Sequence, residues 1–276
     1  MARRFIVNAD DLGLDASVNE AIEQAHTEGV LTAASLMVGA PAHEEAVRLA
    51  RRNPHLAVGL HVVLTDGVPV LPASHIPSLT QPNGRFRDDM ARLGLTLALS
   101  RAARAELRAE VEAQMARFRG TGLTPDHINS HKHYHLHPAI AAVLMEVAVA
   151  EEIPCIRLPD EEPATVGGHV HWSNGITHAW CERLRKGATR LGLRAADRVV
   201  GLHWSGAFTA ERLLSALPRI KGGVTELYFH PATRDDVPGG APGYRYRAEL
   251  AALTDPRVIA AMAGTPRGGY RSMLAA

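Results

Sequence analysis

The chain has 276 residues, 46% of them hydrophobic, with 30 lysines and arginines against 29 aspartates and glutamates, a formal net charge of +1. This length suits one domain with a sizeable core, expected over residues 1–276, and the balanced charge gives no global field for nucleic acid or an anionic membrane. Cys155 and Cys181, the two cysteines, have no short metal or redox spacing and argue against a secreted disulfide framework. The N-terminal residues run into a strand without the long apolar stretch of a signal peptide or membrane span, so a cytoplasmic protein is expected. Fifteen histidines are present, and several crowd into one short stretch.

Short β-branched runs alternate with longer amphipathic ones, the pattern of repeated βα units around a mostly parallel sheet. The expected fold is a single-domain α/β barrel or barrel-like structure. Phe5 to Val7 reads as the first strand, followed by a helix capped by Asp15 or Ser17 that runs to about Glu28 and stops at Gly29. Further strands are predicted at Ser35 to Val38, Val58 to Val63, His127 to Ser130, Cys155 to Arg157, Arg198 to Gly201 and Thr225 to Phe229. Thr65 to Arg87, with Pro69, Pro72, Pro77 and Pro82, breaks both periodicities and reads as a substrate-side loop or lid. Leu107, Val111, Met115 and Phe118 recur at helical spacing and predict an outer helix, with Arg104, Arg108, Glu110 and Glu112 on its other faces. A second proline- and glycine-rich stretch, Pro231 to Gly243, follows the last strand. No internal repeat, low-complexity tract or linker argues for a domain cut.

Catalytic groups of parallel α/β folds collect where strands end. Here the strand ends carry Asn8-Ala9-Asp10-Asp11, Gly59-Leu60-His61, Asn129-Ser130-His131-Lys132-His133-Tyr134-His135 and Tyr228-Phe229-His230-Pro231. Adjacent carboxylates repel and need a cation, hydrogen bonds or a shared proton; the plain alternative is a helix cap or turn. His61 alone reads equally well as a structural histidine. If the tract after it is extended, His131, His133 and His135 share one face, a metal-binding composition that competes with a surface histidine patch. His137, before Pro138, suits the first turn of a helix and ends the motif.

One carboxylate and two imidazoles make a three-ligand site with room for water and substrate, which points to metal-assisted hydrolysis. Asp10 is placed to take the proton of water, and His230 to protonate a departing nitrogen, unless it is only a turn residue before Pro231. Arg157 reads first as a surface ion pair, and otherwise as a group that holds a substrate hydroxyl or orients a carboxylate.

Taken together, Asn8 to Gly13, Gly59 to His61, Ser130 to His135 and Glu226 to Pro231 resemble, in order and over nearly the whole chain, the YdjC/ChbG-like carbohydrate deacetylases, which are similar to a variant of the polysaccharide deacetylase barrel. The resemblance implies that Asp11, His61 and His131 bind one divalent metal, that Asp10 is the general base and that His230 is an acid candidate. Mixed nitrogen and oxygen ligation favours zinc, with magnesium or another divalent ion as alternatives. Two departures stand out: Leu12 where the family usually has Phe, and Asn129 where it often has Asp.

The runs Gly29 to Pro41 and His131 to Pro138 most resemble the branch associated with hopanoid biosynthesis. This implies an N-acetylglucosaminyl hopanoid as substrate, which requires an apolar surface beside the sugar pocket; Val70, Leu71, Ile76 and Leu79 of the loop Val68 to Phe86 are candidates for it, the alternative being an ordinary packed loop. Such a substrate would allow transient contact with the inner membrane surface, and family resemblance suggests a homodimer. The competing readings are a chito-oligosaccharide deacetylase, a metal-dependent phosphoesterase and a non-catalytic glycolipid-binding protein.

Overall fold

A computed structural model describes residues 2–167 and 172–275. Its centre is a parallel sheet built from β1 (Arg3–Leu12), β2 (Ala33–Leu36), β3 (Ala57–Val62), β4 (Ile128–Ser130), β5 (Arg198–Val200) and β6 (Gly223–Phe229), in the order β4-β3-β2-β1-β6-β5. The predicted strand Cys155 to Arg157 is not a regular strand. It survives as bridges, Ile128 with Ile156 and Cys155 with Arg194. Hydrogen bonds from Ile128 to Cys155, Ile156 to Arg194 and Val199 to Asp160 carry the backbone network from β4 round to β5. The result is a single curled half-barrel domain whose sheet edges are joined by irregular chain.

Helices cover the outside. α1 (Ala16–Thr27) starts where Asp15 accepts a hydrogen bond from the Ser17 N–H, α2 (His43–Arg52) follows β2, and α3 (Met90–Leu99) leads into α4 (Arg101–Gly120). α5 (Pro138–Ala150) uses Pro138 in its first turn, where the missing N–H costs nothing. After it come α6 (Trp172–Arg190), α7 (Ala210–Ala216), α8 (Tyr246–Thr254), α9 (Pro256–Ala261) and a short closing turn, α10 (Tyr270–Met273). Leu107, Val111, Met115 and Phe118 of α4 are all buried, each contributing on the order of 1.5–3 kcal/mol by leaving water.

Glu110 departs from expectation. It is fully buried and accepts the N–H groups of Val70 and Leu71 through its two oxygens. One turn earlier, Glu106 accepts the Ser78 N–H and hydroxyl. Two carboxylates of one helix therefore clamp the loop of residues 65–87 at two points.

The twofold period of the strands divides their side chains. In β1, Phe5, Val7 and Ala9 join the main core under the helices, whereas Ile6 packs inside the barrel with Ala33, Cys155, Ala196, Val224 and Tyr270. Two residues further along the same inward face come Asn8 and Asp10. Equivalent steps on the other strands bring Ser35, His61, Asn129 and Glu226, all buried polar groups. This apolar cluster fills one part of the barrel interior and a buried polar network runs beside and above it.

Candidate active site

A bulge at the end of β1 sets the two aspartates. Its register with β2 shifts between Ala9 and Leu12, and Asp11 takes a left-handed φ of 64°. Adjacent strand residues normally face opposite ways; the bulge re-aims Asp11 so that both carboxylates serve one site. Asp11 Oδ1 lies 3.3 Å from His61 Nε2 and 3.1 Å from His131 Nδ1. One ligand atom from each of these three residues lies within 4.8 Å of the other two.

The donor set fits a cation. Asn129 Oδ1 accepts from His61 Nδ1 at 2.7 Å, which leaves the lone pair of neutral His61 on Nε2. That nitrogen is buried, makes no hydrogen bond and faces a carboxylate oxygen. A lone pair against an oxygen anion is repulsive unless a positive charge sits between them. Burial pushes the His61 pKa down, but Asp10, Asp11 and Asn129 outweigh it and the net direction is up. Asp11 moves the other way: burial raises it, yet His131 and His61 hold it well below the ordinary carboxylate range.

Asp10 is held differently. It is 2% exposed, and Arg157 grips it with Nη1 to Oδ2 at 2.5 Å and Nη2 to Oδ1 at 2.9 Å. Asn8 and Asn129 donate to Oδ1 at 3.0 and 3.1 Å. Burial opposes ionisation, but Arg157 and His61 dominate and the carboxyl stays far below its usual value. Arg157 is therefore no surface ion pair. It is fully buried, and of the readings open to it the structure selects the one that orients a carboxylate. Its other edge, Nε and Nη2, donates to Glu226, which in turn accepts from the Tyr270 hydroxyl.

The histidine tract is not extended. His131 to Leu136 form a tight 3₁₀-like segment in which Lys132 and His133 adopt φ of 53° and 51°, left-handed conformations that carry strain in non-glycine residues. The three alternate histidines consequently separate. His131 turns to Asp11. His135 becomes a strut: its Nδ1 pairs with Ser130 Oγ at 2.7 Å and its Nε2 with the Arg157 carbonyl at 3.0 Å. Burial and the Arg157 charge push its pKa down to about 3, so it is a neutral ring. His133 lies edge-on to Tyr228, with a buried and unpartnered Nδ1. His230 is also edge-on to Tyr228, and to Tyr244, and its Nδ1 is likewise buried and unpartnered.

Beside His131 opens a cavity of about 510 Å³. Leu14, Met37, Val63 and Val68 give it apolar walls, and Asp66 and Arg85 lie at its polar side. The loop of residues 65–87, clamped to α4, adds only Val68 as an apolar side chain to this wall; Ile76 and Leu79 are buried in the core and Val70 and Leu71 pack against it, so the expected apolar surface is instead an ordinary packed loop. Of the groups around the site, Asn8, Ser35, Glu226 and Tyr270 carry no role in the sequence reading. The available signal was a charged residue at an inward position of a buried strand, as Glu226 is in β6.

The profile of the YdjC-like protein family matches residues 4–263. The chain belongs to the YdjC-like family. A carbohydrate deacetylase of Geobacillus stearothermophilus is 37% identical to this YdjC-like chain over 266 residues, covering 95% of it and 94% of the relative. A human carbohydrate deacetylase is 32% identical over 288 residues, covering 94% and 87% of the two chains. Among solved structures, a protein of Enterococcus faecalis provisionally described as cleaving cellobiose-phosphate superposes with a TM-score of 0.78 at 26% identity, over 99% of each chain. A lactam utilization protein of Thermus thermophilus shares the fold at a TM-score of 0.51 and 16% identity, over 96% of this chain and 99% of that one. No described helix of this YdjC-like protein is long and apolar enough to cross a membrane.

Proposed function

We propose that this chain is a metal-dependent carbohydrate N-deacetylase that hydrolyses the acetamide of an N-acetylated amino sugar. The observation that carries this reading is the division of labour between neighbouring aspartates: Asp11 faces two imidazoles, and Asp10, one residue earlier, faces a guanidinium. A binding site needs the first arrangement alone. The second keeps a carboxylate ionised and fixed in one orientation beside the first, two of the conditions a proton acceptor must meet.

Asp11, His61 and His131 would hold one divalent ion, zinc being favoured by mixed nitrogen and oxygen donors. Such an ion supplies polarisation of the acetyl carbonyl and lowers the pKa of water toward ~7. Asp10 accepts a proton from water as its oxygen bonds to the carbonyl carbon. His230 delivers a proton to the nitrogen as the carbon–nitrogen bond breaks, because an amine anion is too poor a leaving group. The products are acetate and a free amino sugar. Relatives that are carbohydrate deacetylases across most of their length support the reaction class.

The cavity beside His131 supports a substrate with an apolar part. Its volume of about 510 Å³ exceeds what an acetyl group fills, and apolar walls suit hydrocarbon better than a second sugar. The substrate proposed is therefore an N-acetylglucosaminyl glycolipid of the hopanoid type. Val68, which lines the cavity and is half exposed, suits transient contact with a lipid surface.

The test is release of acetate and free amine by the purified protein from an N-acetylglucosaminyl hopanoid and from chitobiose, before and after chelation and with zinc added back. Chelator-sensitive release from the hopanoid alone is expected. Release from chitobiose alone would keep the deacetylase and discard the lipid. No release from either, despite one tightly bound metal, would overturn the deacetylase reading.

A further inference from the structure

Two buried hydrogen-bond chains descend from the site, and both end on the same turn at the barrel floor. The first runs from Asp10 to Arg157, from Arg157 to Glu226 and from Glu226 to the Tyr270 hydroxyl. The second runs from Asp10 and His61 to Asn129, from Asn129 Nδ2 to Ser35 Oγ at 3.0 Å, and from Ser35 to His127 Nε2 at 3.0 Å. His127 Nδ1 then meets Asp126 at 3.1 Å, and Asp126 accepts the N–H groups of Tyr270 at 2.8 Å and Arg271 at 3.0 Å. Tyr270 also stacks on the His127 ring, 4.2 Å between centroids at 23°. Arg157, Glu226 and Tyr270 are fully buried.

The geometry points to Tyr270 as a positioning residue for Asp10, acting through Glu226 and Arg157; this rests on the base role proposed above. One guanidinium is shared by two carboxylates, and Nη2 donates to both. Which carboxylate it favours depends on how well each is satisfied otherwise. Asp10 has two asparagine donors. Glu226 has the Tyr270 hydroxyl. With that donor removed, Glu226 draws the guanidinium toward itself, and the plane that aims Asp10 rotates. Gly59 belongs to the same scaffold: a Cβ there would stand 2.5 Å from the His127 ring, so only glycine lets that ring reach Ser35.

Displacing a reacting group by about 1 Å costs on the order of 10²-fold in rate, and weakening its hold costs less. Tyr270→Phe keeps the stack and the volume and removes only the hydroxyl. We expect kcat on the N-acetylated amino sugar to fall about 10-fold or more, with KM within about 2-fold and one zinc per chain retained. Glu226→Gln, which weakens the middle link, should reproduce the split. Ser272→Ala removes a hydroxyl from the same turn, bonded to the Gly269 carbonyl and outside both chains, and should leave kcat unchanged. In parallel, NMR of the Arg157 Nε–H, which donates to Glu226, should show slower solvent exchange in Tyr270→Phe as Glu226 draws the guanidinium closer.

Unchanged kcat in Tyr270→Phe, or an equal loss in Ser272→Ala, would overturn the proposal. If the wild-type protein has no deacetylase activity, the base reading fails. The Arg157 Nε–H exchange then still decides whether Tyr270 fixes the guanidinium, and equal exchange in the two proteins would overturn that as well.

Discussion

Asn129 and Asp10 illustrate how much a single side chain decides here. Asn129 uses both ends of its amide: Nδ2 donates to Asp10 and Ser35, and Oδ1 accepts from His61. A carboxylate in this place has no donors and would set oxygen against oxygen at the Asp10 contact, so the amide is matched to its neighbours. Asp10→Asn tests the base role most directly. Arg157 keeps Glu226 as its counter-charge, so the fold should survive a change that would otherwise strand a buried cation. Turnover is expected to fall by about 10²–10⁴-fold with metal content unchanged; full activity would refute the assignment.

Elements were legible where their signal is local. Strands, the Asp15-capped first helix and the apolar stripe of α4 follow from period and capping. Strand ends single out the aspartate pair, His61 and the histidine tract, the family resemblance picks Asp11, His61 and His131 from among them, and the structure brings those three together. What failed needed tertiary information. Alternate histidines suggest a strand, but Lys132 and His133 are held left-handed and the spacing loses its meaning. Arg157 sits on a segment with only bridge pairing, so nothing near it in sequence reveals Asp10 and Glu226 across the barrel. Glu110 was within reach, since it lies three residues after Leu107 and four before Gln114, on the flank of the buried stripe.

The clamp that Glu110 makes has a signed pH dependence. Burial raises its pKa above the usual glutamate value of 4.5, and the N–H groups of Val70 and Leu71 and the Gln114 amide only partly offset this. The folded protein therefore binds this proton more readily than the unfolded chain, and the contribution to stability falls as pH rises from 4.5 through the raised value. Glu110→Gln cannot ionise. In urea titrations between about pH 4 and 7, wild type should lose stability relative to Glu110→Gln as pH rises. A constant difference across that range would show that the buried carboxylate carries no such linkage.

At the scale of the whole molecule, the floor of the barrel responds to acid in the opposite sense. Burial raises the Asp126 pKa, but His127 and the N–H groups of Arg271 and Tyr270 outweigh it, and the net value lies below 3.8. The stability this gives is present above pH 3.8 and is lost as pH falls through the folded value. Asp126→Asn should therefore flatten the acid limb of the stability curve, measured as thermal midpoint against pH. An acid limb identical to wild type would place the acid sensitivity elsewhere.

The strand order has a kinetic consequence. β1 pairs on one side with β2, some two dozen residues away, and on the other with β6, where Arg3 meets Gly223 and Ala9 meets Phe229. During synthesis β1, one of the two central strands, must wait, half-paired and with one edge open, until more than two hundred further residues have emerged. Closure of so long a loop is slow, and open edges of this kind invite association with other chains. The same late event that seals β1 against β6 brings Asp10 level with the Glu226 strand. A finished site therefore requires β6: Asp10 gains its full Arg157–Glu226 frame only once the last-made strand of the sheet has paired with the first.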